Sequence, residues 1–277
     1  MQTPDPTALA QRRADFRQLH ESGCFLIPNP WDAGSAKYLA SLGFKALAST
    51  SSGAAWSHGT ADNHMPLPAV LDYLRTLVAA TPLPVNADFE GGFADSPEEV
   101  ARHVRLAVDT GVAGLSIEDS TGRPEQPLRG LNEAVERMQA AREAIDASGQ
   151  DVLLVGRAEN FFAGQPDLDD TIQRLQAYAQ AGADCLYAPG IYTAEEISAV
   201  VHAVAPKPIN VLMGKASDFT LADLAALGVR RVSVGGALAR TAWAGFQNTA
   251  RLLAEHGRFD GLANATPAAE LNRLLGS

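Results

Sequence analysis

Short apolar runs rich in β-branched residues alternate with longer amphipathic ones from end to end of the chain. The short runs predict eight strands, at residues 25–30, 46–50, 83–90, 114–119, 152–159, 185–190, 208–213 and 231–236, with starts 21 to 38 residues apart. Runs such as VLLVG and PINVLM are apolar without strict alternation, the pattern of strands covered on both faces. The longer runs carry helix punctuation. Ser96 stands at an N-cap, Pro97 at the first helical position and Glu98 and Glu99 in the first turn, and the pattern stops at Gly111. Residues 169–182, 193–204 and 220–227 repeat the scheme, and DTGVAGL, QAGADCL and ALGVRRV are one joint used three times: helix end, glycine, turn, strand.

Eight βα units within roughly 250 residues have the size and order of an α/β fold of the (β/α)8 TIM-barrel type. A doubly wound open sheet is the competitor, but NPWDAGSA follows the first strand where such a sheet carries a G-x-G-x-x-G loop. Residues 6–22 predict an N-terminal helix, and residues 266–275 a short helix within a C-terminal extension, 258–277. No linker divides the chain, so residues 1–277 are expected to form a single barrel domain.

Composition removes several classes of function. Apolar residues at 46% and charged residues at 19% describe an ordinary globular chain. With 22 Lys and Arg against 32 Asp and Glu, the net charge is −10, which argues against nucleic acid and anionic membrane surfaces as partners. No run of 18 uncharged apolar residues occurs, and the N-terminal stretch is charged throughout, so neither a membrane span nor a secretory signal is expected. Cys24 and Cys185 sit in apolar runs and are expected to be reduced, which fits a cytoplasmic protein.

Barrel chemistry gathers at the C-terminal ends of the strands. The third strand ends PVNADFE, so Asn86, Asp88 and Glu90, two apart, share one face. The fourth adds Glu118 and Asp119, the fifth Arg157 and Glu159, and the seventh Asn210. Carboxylates crowded at one mouth repel unless a cation neutralises them, and oxygen ligands suit Mg²⁺ or Mn²⁺. Arg157 is then a fork for a substrate carboxylate. Isolated acids would instead pair with Arg or Lys, or solvate a loop; acids on adjacent strand ends beside an arginine favour a site. The segment ASTSSGAAWSHG after strand two offers amides and hydroxyls to an anion, and Gly235-Gly236 after strand eight is either a phosphate seat or a close packing point. His103, His202 and His256 fall in helical patterns and read as surface or packing residues; His58 and His64 lie in the loop after strand two.

Together these pieces resemble the isocitrate lyase/phosphoenolpyruvate mutase superfamily over nearly the whole chain. The family's N-x-x-(D/S)-x-x-S-A opening matches Asn29 to Ala36, and its Ser-Gly turn matches Ser52-Gly53-Ala54. Its D-x-D, E-D and A-R-(T/V)-(D/E) segments fall after strands three, four and five. The resemblance implies a barrel whose C-terminal helix is exchanged between subunits of a homotetramer (a dimer of dimers), Mg²⁺, and a small 2-oxo or 2-hydroxy carboxylate as substrate. Asp88 and Glu118 would be metal ligands and Asp62 a water-mediated one. Asn86 would replace the first acid of D-x-D, with Glu90 compensating. Ser52, Gly53, Ala54, Arg157 and Asn210 would meet the substrate carboxylate, and Asp88, Glu118 and Arg157 would carry catalysis. On the same footing, the short helix bearing Leu271, Leu274 and Leu275 is expected at a subunit interface.

One departure narrows the reaction. The family's C–C lyases carry K-(K/R)-C-G-H after strand four, whereas residues 119–126 read DSTGRPEQ, without Cys or His. The usual isocitrate or methylisocitrate cleavage is thereby disfavoured, and the loop also lacks the Lys, Asn and Ser of phosphonate mutases. The resemblance then implies an Mg²⁺-dependent lyase that decarboxylates, or otherwise cleaves at C–C, an oxaloacetate-like acid through a metal-stabilised enolate. The alternatives are C–P chemistry (phosphonopyruvate hydrolysis or phosphoenolpyruvate mutation) and a catalytically silent barrel that binds 2-oxo acids.

Overall fold

The computed structural model describes residues 5–276; residues 1–4 and 277 of the expected domain lie outside the described residues. In chain order the strands are β1 (Phe25–Ile27), β2 (Leu47–Ala48), β3 (Val85–Asp88), β4 (Gly114–Glu118), β5 (Ser120–Arg123), β6 (Gln126–Leu128), β7 (Leu153–Arg157), β8 (Cys185–Tyr187), β9 (Ile209–Leu212) and β10 (Arg231–Ser233). Eight form one parallel sheet, in the order β1-β10-β9-β8-β7-β4-β3-β2. The seam between its end strands is bridged where Ala48 N–H donates to Pro28 O at 3.1 Å. With helices on the connections this is a (β/α)8 barrel. Each of the eight predicted strands has its counterpart, shortened because the predicted runs include mouth residues that have left the ladder. Glu90, for example, sits at φ 47°, outside strand geometry.

The antiparallel hairpin β5–β6 was not predicted. It occupies the place of the short loop after the fourth barrel strand.

The helices begin where their caps do. Ser96 accepts Glu99 N–H, and the pairs Thr193/Glu196 and Thr220/Asp223 form reciprocal capping boxes. Asp32 and Ser35, from the opening motif, cap helix Ala33–Ser41 in the same way. Helix Pro6–Leu19 closes the bottom of the barrel. Its Phe16, fully buried, packs with Phe25, Ile27, Ala46, Ala48, Ala113 and Leu153. Gly114 makes room for it, since a Cβ there would stand 2.7 Å from the Phe16 ring and 2.8 Å from Asn86 Oδ1.

At the other terminus, helix Ala237–His256 buries only Ala239 among its 20 residues. It leaves Trp243, Phe246 and Leu253 exposed. The final helix, Ala268–Leu275, lies against helix Ala33–Ser41 of its own chain, where Lys37 Nζ donates to Leu275 O at 2.7 Å.

Candidate active site

A cavity of about 490 Å³ opens at the C-terminal ends of the barrel strands. Side chains alternate along each strand, so residues two apart face it together: Asn86 and Asp88 from β3, Ser116 and Glu118 from β4, Arg231 and Ser233 from β10. Arg157 ends β7 and lies near the centre of the charged groups. Its Nη1 is 3.2 Å from Asp88 Oδ1 and 3.1 Å from Glu118 Oε2, its Nε donates to Glu159, and its guanidinium lies 5.1 Å over the Tyr187 ring. The expected substrate fork therefore also holds three acids together.

Five carboxylates, of Asp62, Asp88, Glu90, Glu118 and Glu159, share the fields around this one guanidinium. Burial pushes Glu118 well above the usual carboxylate range, against the pull of Arg157. Burial, then Asp88 and Asp62, push Glu90 up to about 8. Asp62 is raised by burial and by Asp88. Glu159 is raised by burial despite its Arg157 contact. The mouth thus holds more carboxyl groups than Arg157 alone can keep ionised, and crowding with burial favours their protonated forms.

The donor set fits a hard divalent ion that keeps much of its water. Among the described residues no three His, Cys, Asp or Glu side chains converge as a ready-made cage. Asp88 and Glu118, however, lie on either side of the same atom, Arg157 Nη1, and one or two carboxylates plus water and substrate oxygens are what Mg²⁺ ordinarily takes. Asp62 lines the same cavity; Glu90 lines an adjoining one that shares Glu118 and Asn63.

Asn86 departs from expectation. It lies deeper in the barrel, its Nδ2 donating to Ala87 O and its Oδ1 facing Arg231 Nη1 at 3.4 Å. An oxygen turned to a guanidinium is poorly placed for a metal. The acidic pair with the family's one-residue gap is accordingly Asp88 and Glu90, not Asn86 and Asp88.

The Ser-Gly segment is not an open turn but the start of a helix, Ser51–Ser57, capped by Thr50. Ser51 N–H donates to Asp88 Oδ2 at 3.0 Å, and Ser51 and Ser52 line the cavity. Gly53 N–H goes to Thr50 Oγ1 and Ala54 N–H to Thr50 O, so these two amides are already used. Gly53 serves packing, since a Cβ would meet Thr50 Cγ2 at 2.7 Å and Trp31 Cβ at 2.9 Å. Asn210 lines the cavity but spends its Oδ1 on Arg231 Nε (2.9 Å) and an amide hydrogen on Ser233 Oγ (3.0 Å). His58 and His64 bind local backbone carbonyls and do not line the cavity.

Sequence reading missed the hairpin, which brings Ser120, Gly122, Arg123, Pro124 and Pro127 to the cavity, and missed Tyr187 and Arg231. A tyrosine two residues past Cys185 on a barrel strand is a signal that could have been used. Asn29, known only as the start of the opening motif, braces the seam: its Nδ2 donates to Ser49 O, and its Oδ1 accepts the amides of Val234 and Gly235.

Comparison with known proteins agrees with this architecture. The sequence signature of the phosphoenolpyruvate phosphomutase family matches residues 16–254. An oxaloacetate decarboxylase of Bradyrhizobium diazoefficiens is 31% identical over 97% of this chain and 94% of its own. A Burkholderia cenocepacia protein provisionally assigned as a lyase/mutase superposes with a TM-score of 0.94 at 49% identity, over 98% of both chains. An oxaloacetate acetylhydrolase bound to its product oxalate superposes at 0.85 with 28% identity, covering 99% of this chain and 96% of the other.

Proposed function

Since the chain belongs to the isocitrate lyase/phosphoenolpyruvate mutase superfamily, we propose that it is an Mg²⁺-dependent lyase that decarboxylates, or otherwise cleaves at C–C, a small oxaloacetate-like 2-oxo acid. The observation that carries this reading is the surplus of carboxylates around Arg157, with Asp88 and Glu118 both held against its Nη1.

Asp88 and Glu118 would hold the ion, with Asp62 and Glu90 reaching it through water. Bound there, Mg²⁺ supplies Lewis acidity towards a 2-oxo carboxylate. The chain's own groups do the rest. Arg157 presents the edge of its guanidinium not taken by Glu118, Asp88 and Glu159 to a substrate carboxylate. The hydroxyls of Ser51 and Ser52, at a helix start, face the same space. The hairpin narrows the mouth and limits water at the reacting carbon. When the bond between C3 and the departing carboxylate breaks, its electron pair moves into the 2-oxo group and CO₂ leaves. No thiol is needed at the breaking bond, which suits a hairpin without Cys or His.

C–P chemistry has weaker support. Arg123 is the cation that the hairpin brings to the cavity, and it is paired with Asp95 at 3.0 Å. A transferring phosphoryl group needs more donors than that.

The exposed apolar residues of helix Ala237–His256, with Phe259 and Leu262 beyond it, support assembly into a homo-oligomer in which this helix packs on a partner. The short final helix, which the sequence places at a subunit interface, packs on helix Ala33–Ser41 of its own chain.

Turnover of a panel of 2-oxo and 2-hydroxy acids, with Mg²⁺ and with chelator, tests the reading. Metal-dependent loss of an oxaloacetate-like acid is expected, and activity indifferent to chelator would overturn it. Phosphate release from phosphonopyruvate would favour the C–P alternative.

A further inference from the structure

Of the three buried tyrosines, two spend the phenol proton on a carbonyl or a carboxylate, and the third does not. Tyr73 donates to Pro30 O at 2.8 Å, and Tyr178 donates to Asp119. Tyr187, at the end of β8, lines the cavity beneath Arg157, and its phenol bonds a side-chain hydroxyl, that of Ser233, rather than a carbonyl or a carboxylate.

What stands behind Tyr187 is polarised in one direction. Arg231, 3% exposed at the start of β10, has no carboxylate within 4 Å among the described residues. Its neighbours are neutral: Asn210 Oδ1 at 2.9 Å, Asn86 Oδ1 at 3.4 Å and His20 Nε2 at 3.4 Å. A guanidinium can only donate. Asn210 must therefore accept through Oδ1, which turns its amide NH₂ towards Ser233 Oγ, 3.0 Å away. Ser233, accepting there, has its own hydrogen to give, and its hydroxyl is placed to bond the Tyr187 phenol oxygen. Each group in the series receives on one side and donates on the other. With Ser233 donating to the phenol oxygen, the phenol proton faces the cavity that Tyr187 lines.

We propose that Tyr187 is a catalytic hydrogen-bond donor, its phenol O–H aimed at the substrate oxygen that gains charge as the enolate forms, and that Arg231, Asn210 and Ser233 are positioning residues that fix its direction. The buried, unbalanced charge of Arg231 sets the sense of the chain, and a preorganised donor in a water-poor site is worth more than one in solution. Burial also keeps the phenol protonated far above neutral pH, so it acts by donating rather than by losing its proton.

This inference rests on the functional reading above, and the experiment separates the two. Oxalate, a planar dianion with the oxygen arrangement of a pyruvate enolate, is titrated calorimetrically in the presence of Mg²⁺. In parallel, C3 hydrogen exchange of pyruvate in D₂O is followed by NMR. The wild type, Tyr187→Phe, Ser233→Ala and Asn210→Asp are compared, with thermal melting as the check on folding. Tyr187→Phe should weaken oxalate binding at least tenfold and slow exchange about 100-fold, with KM for pyruvate little changed. Asn210→Asp, close in size but able to accept from Ser233, should reverse the chain and reproduce the Tyr187→Phe defect; Ser233→Ala should fall between. A Tyr187→Phe protein that melts, binds and exchanges like the wild type overturns the inference. A wild type that neither binds oxalate nor exchanges overturns the functional reading itself.

Discussion

Asp119 Oδ1 accepts the backbone amide of Glu159 at 2.8 Å, tying the end of β4 to the turn after β7. Its other oxygen takes Arg174 Nη1 at 3.1 Å and the Tyr178 phenol. Asp119→Ala would leave the buried Tyr178 phenol without its acceptor and take from Arg174 one of two carboxylates, Asp170 Oδ2 remaining at 2.7 Å from its Nε. A loss of about 1–3 kcal/mol in unfolding free energy is expected, as for leaving a buried donor unsatisfied. Asp119→Asn, which keeps an acceptor, should lose less. Urea unfolding measures both, and a cost under about 1 kcal/mol for the alanine variant would show the network to be incidental.

Asp88→Asn removes one charge from an over-acidic mouth while keeping the side chain's size. Without metal its melting temperature should match or exceed that of the wild type, because repulsion with Glu90, Glu118 and Asp62 falls. Mg²⁺ at about 100 times its Kd should stabilise the wild type by about 2.7 kcal/mol, and this gain should disappear in the variant together with at least 100-fold of turnover. Equal Mg²⁺-induced shifts in the two proteins would remove Asp88 from the ligand set.

His20 gives the fold a pH dependence of its own. Burial, then Arg231, lower its pKa from 6.5 to about 3. Between those values the unfolded chain binds a proton that the folded one refuses, so this residue's stabilisation is complete above pH 6.5 and is lost as pH falls towards 3. The slope it contributes reaches about 1.4 kcal/mol per pH unit. His20→Gln should flatten the stability curve over that interval. Parallel curves for the two proteins would contradict the assignment.

The exposed face of helix Ala237–His256 bears on assembly. Trp243 and Phe246 stack edge to face with centroids 5.5 Å apart, and Phe246 is 63% exposed. Phe246→Glu should shift the protein to smaller species in light scattering with the barrel intact by circular dichroism. A wild type that is monomeric at micromolar concentration would refute the assembly proposal.

The barrel strands were legible because each couples an apolar run to a helix with clear caps, and the acids at their ends stand out against that run. Asp88, Glu118 and Arg157 were found in this way. The hairpin was not, because STGRPEQPL has neither apolar alternation nor a helical stripe. The seven-residue helix from Ser51 is too short for periodicity to register, so its Ser-Gly start read as a loop. Asn86 and Glu90 sit apart from Asp88 for a common reason: two-residue alternation puts Asn86, Asp88 and Glu90 on one face but says nothing of depth, and the chain leaves strand geometry at Glu90. Arg231 was passed over because a charged residue entering a strand suggests surface. Only tertiary contact shows that His20, from the N-terminal helix, meets it inside the barrel.

Phe16 gives the barrel a closed floor. A cavity opening beside the hairpin above that buried ring is a blind pocket among the described residues, in which, on the reaction proposed, incoming acid and departing fragments would share a single doorway. Exchange then proceeds by turns, each departure making room for the next arrival. The doorway is bordered by the hairpin, through Ser120, Gly122, Arg123, Pro124 and Pro127.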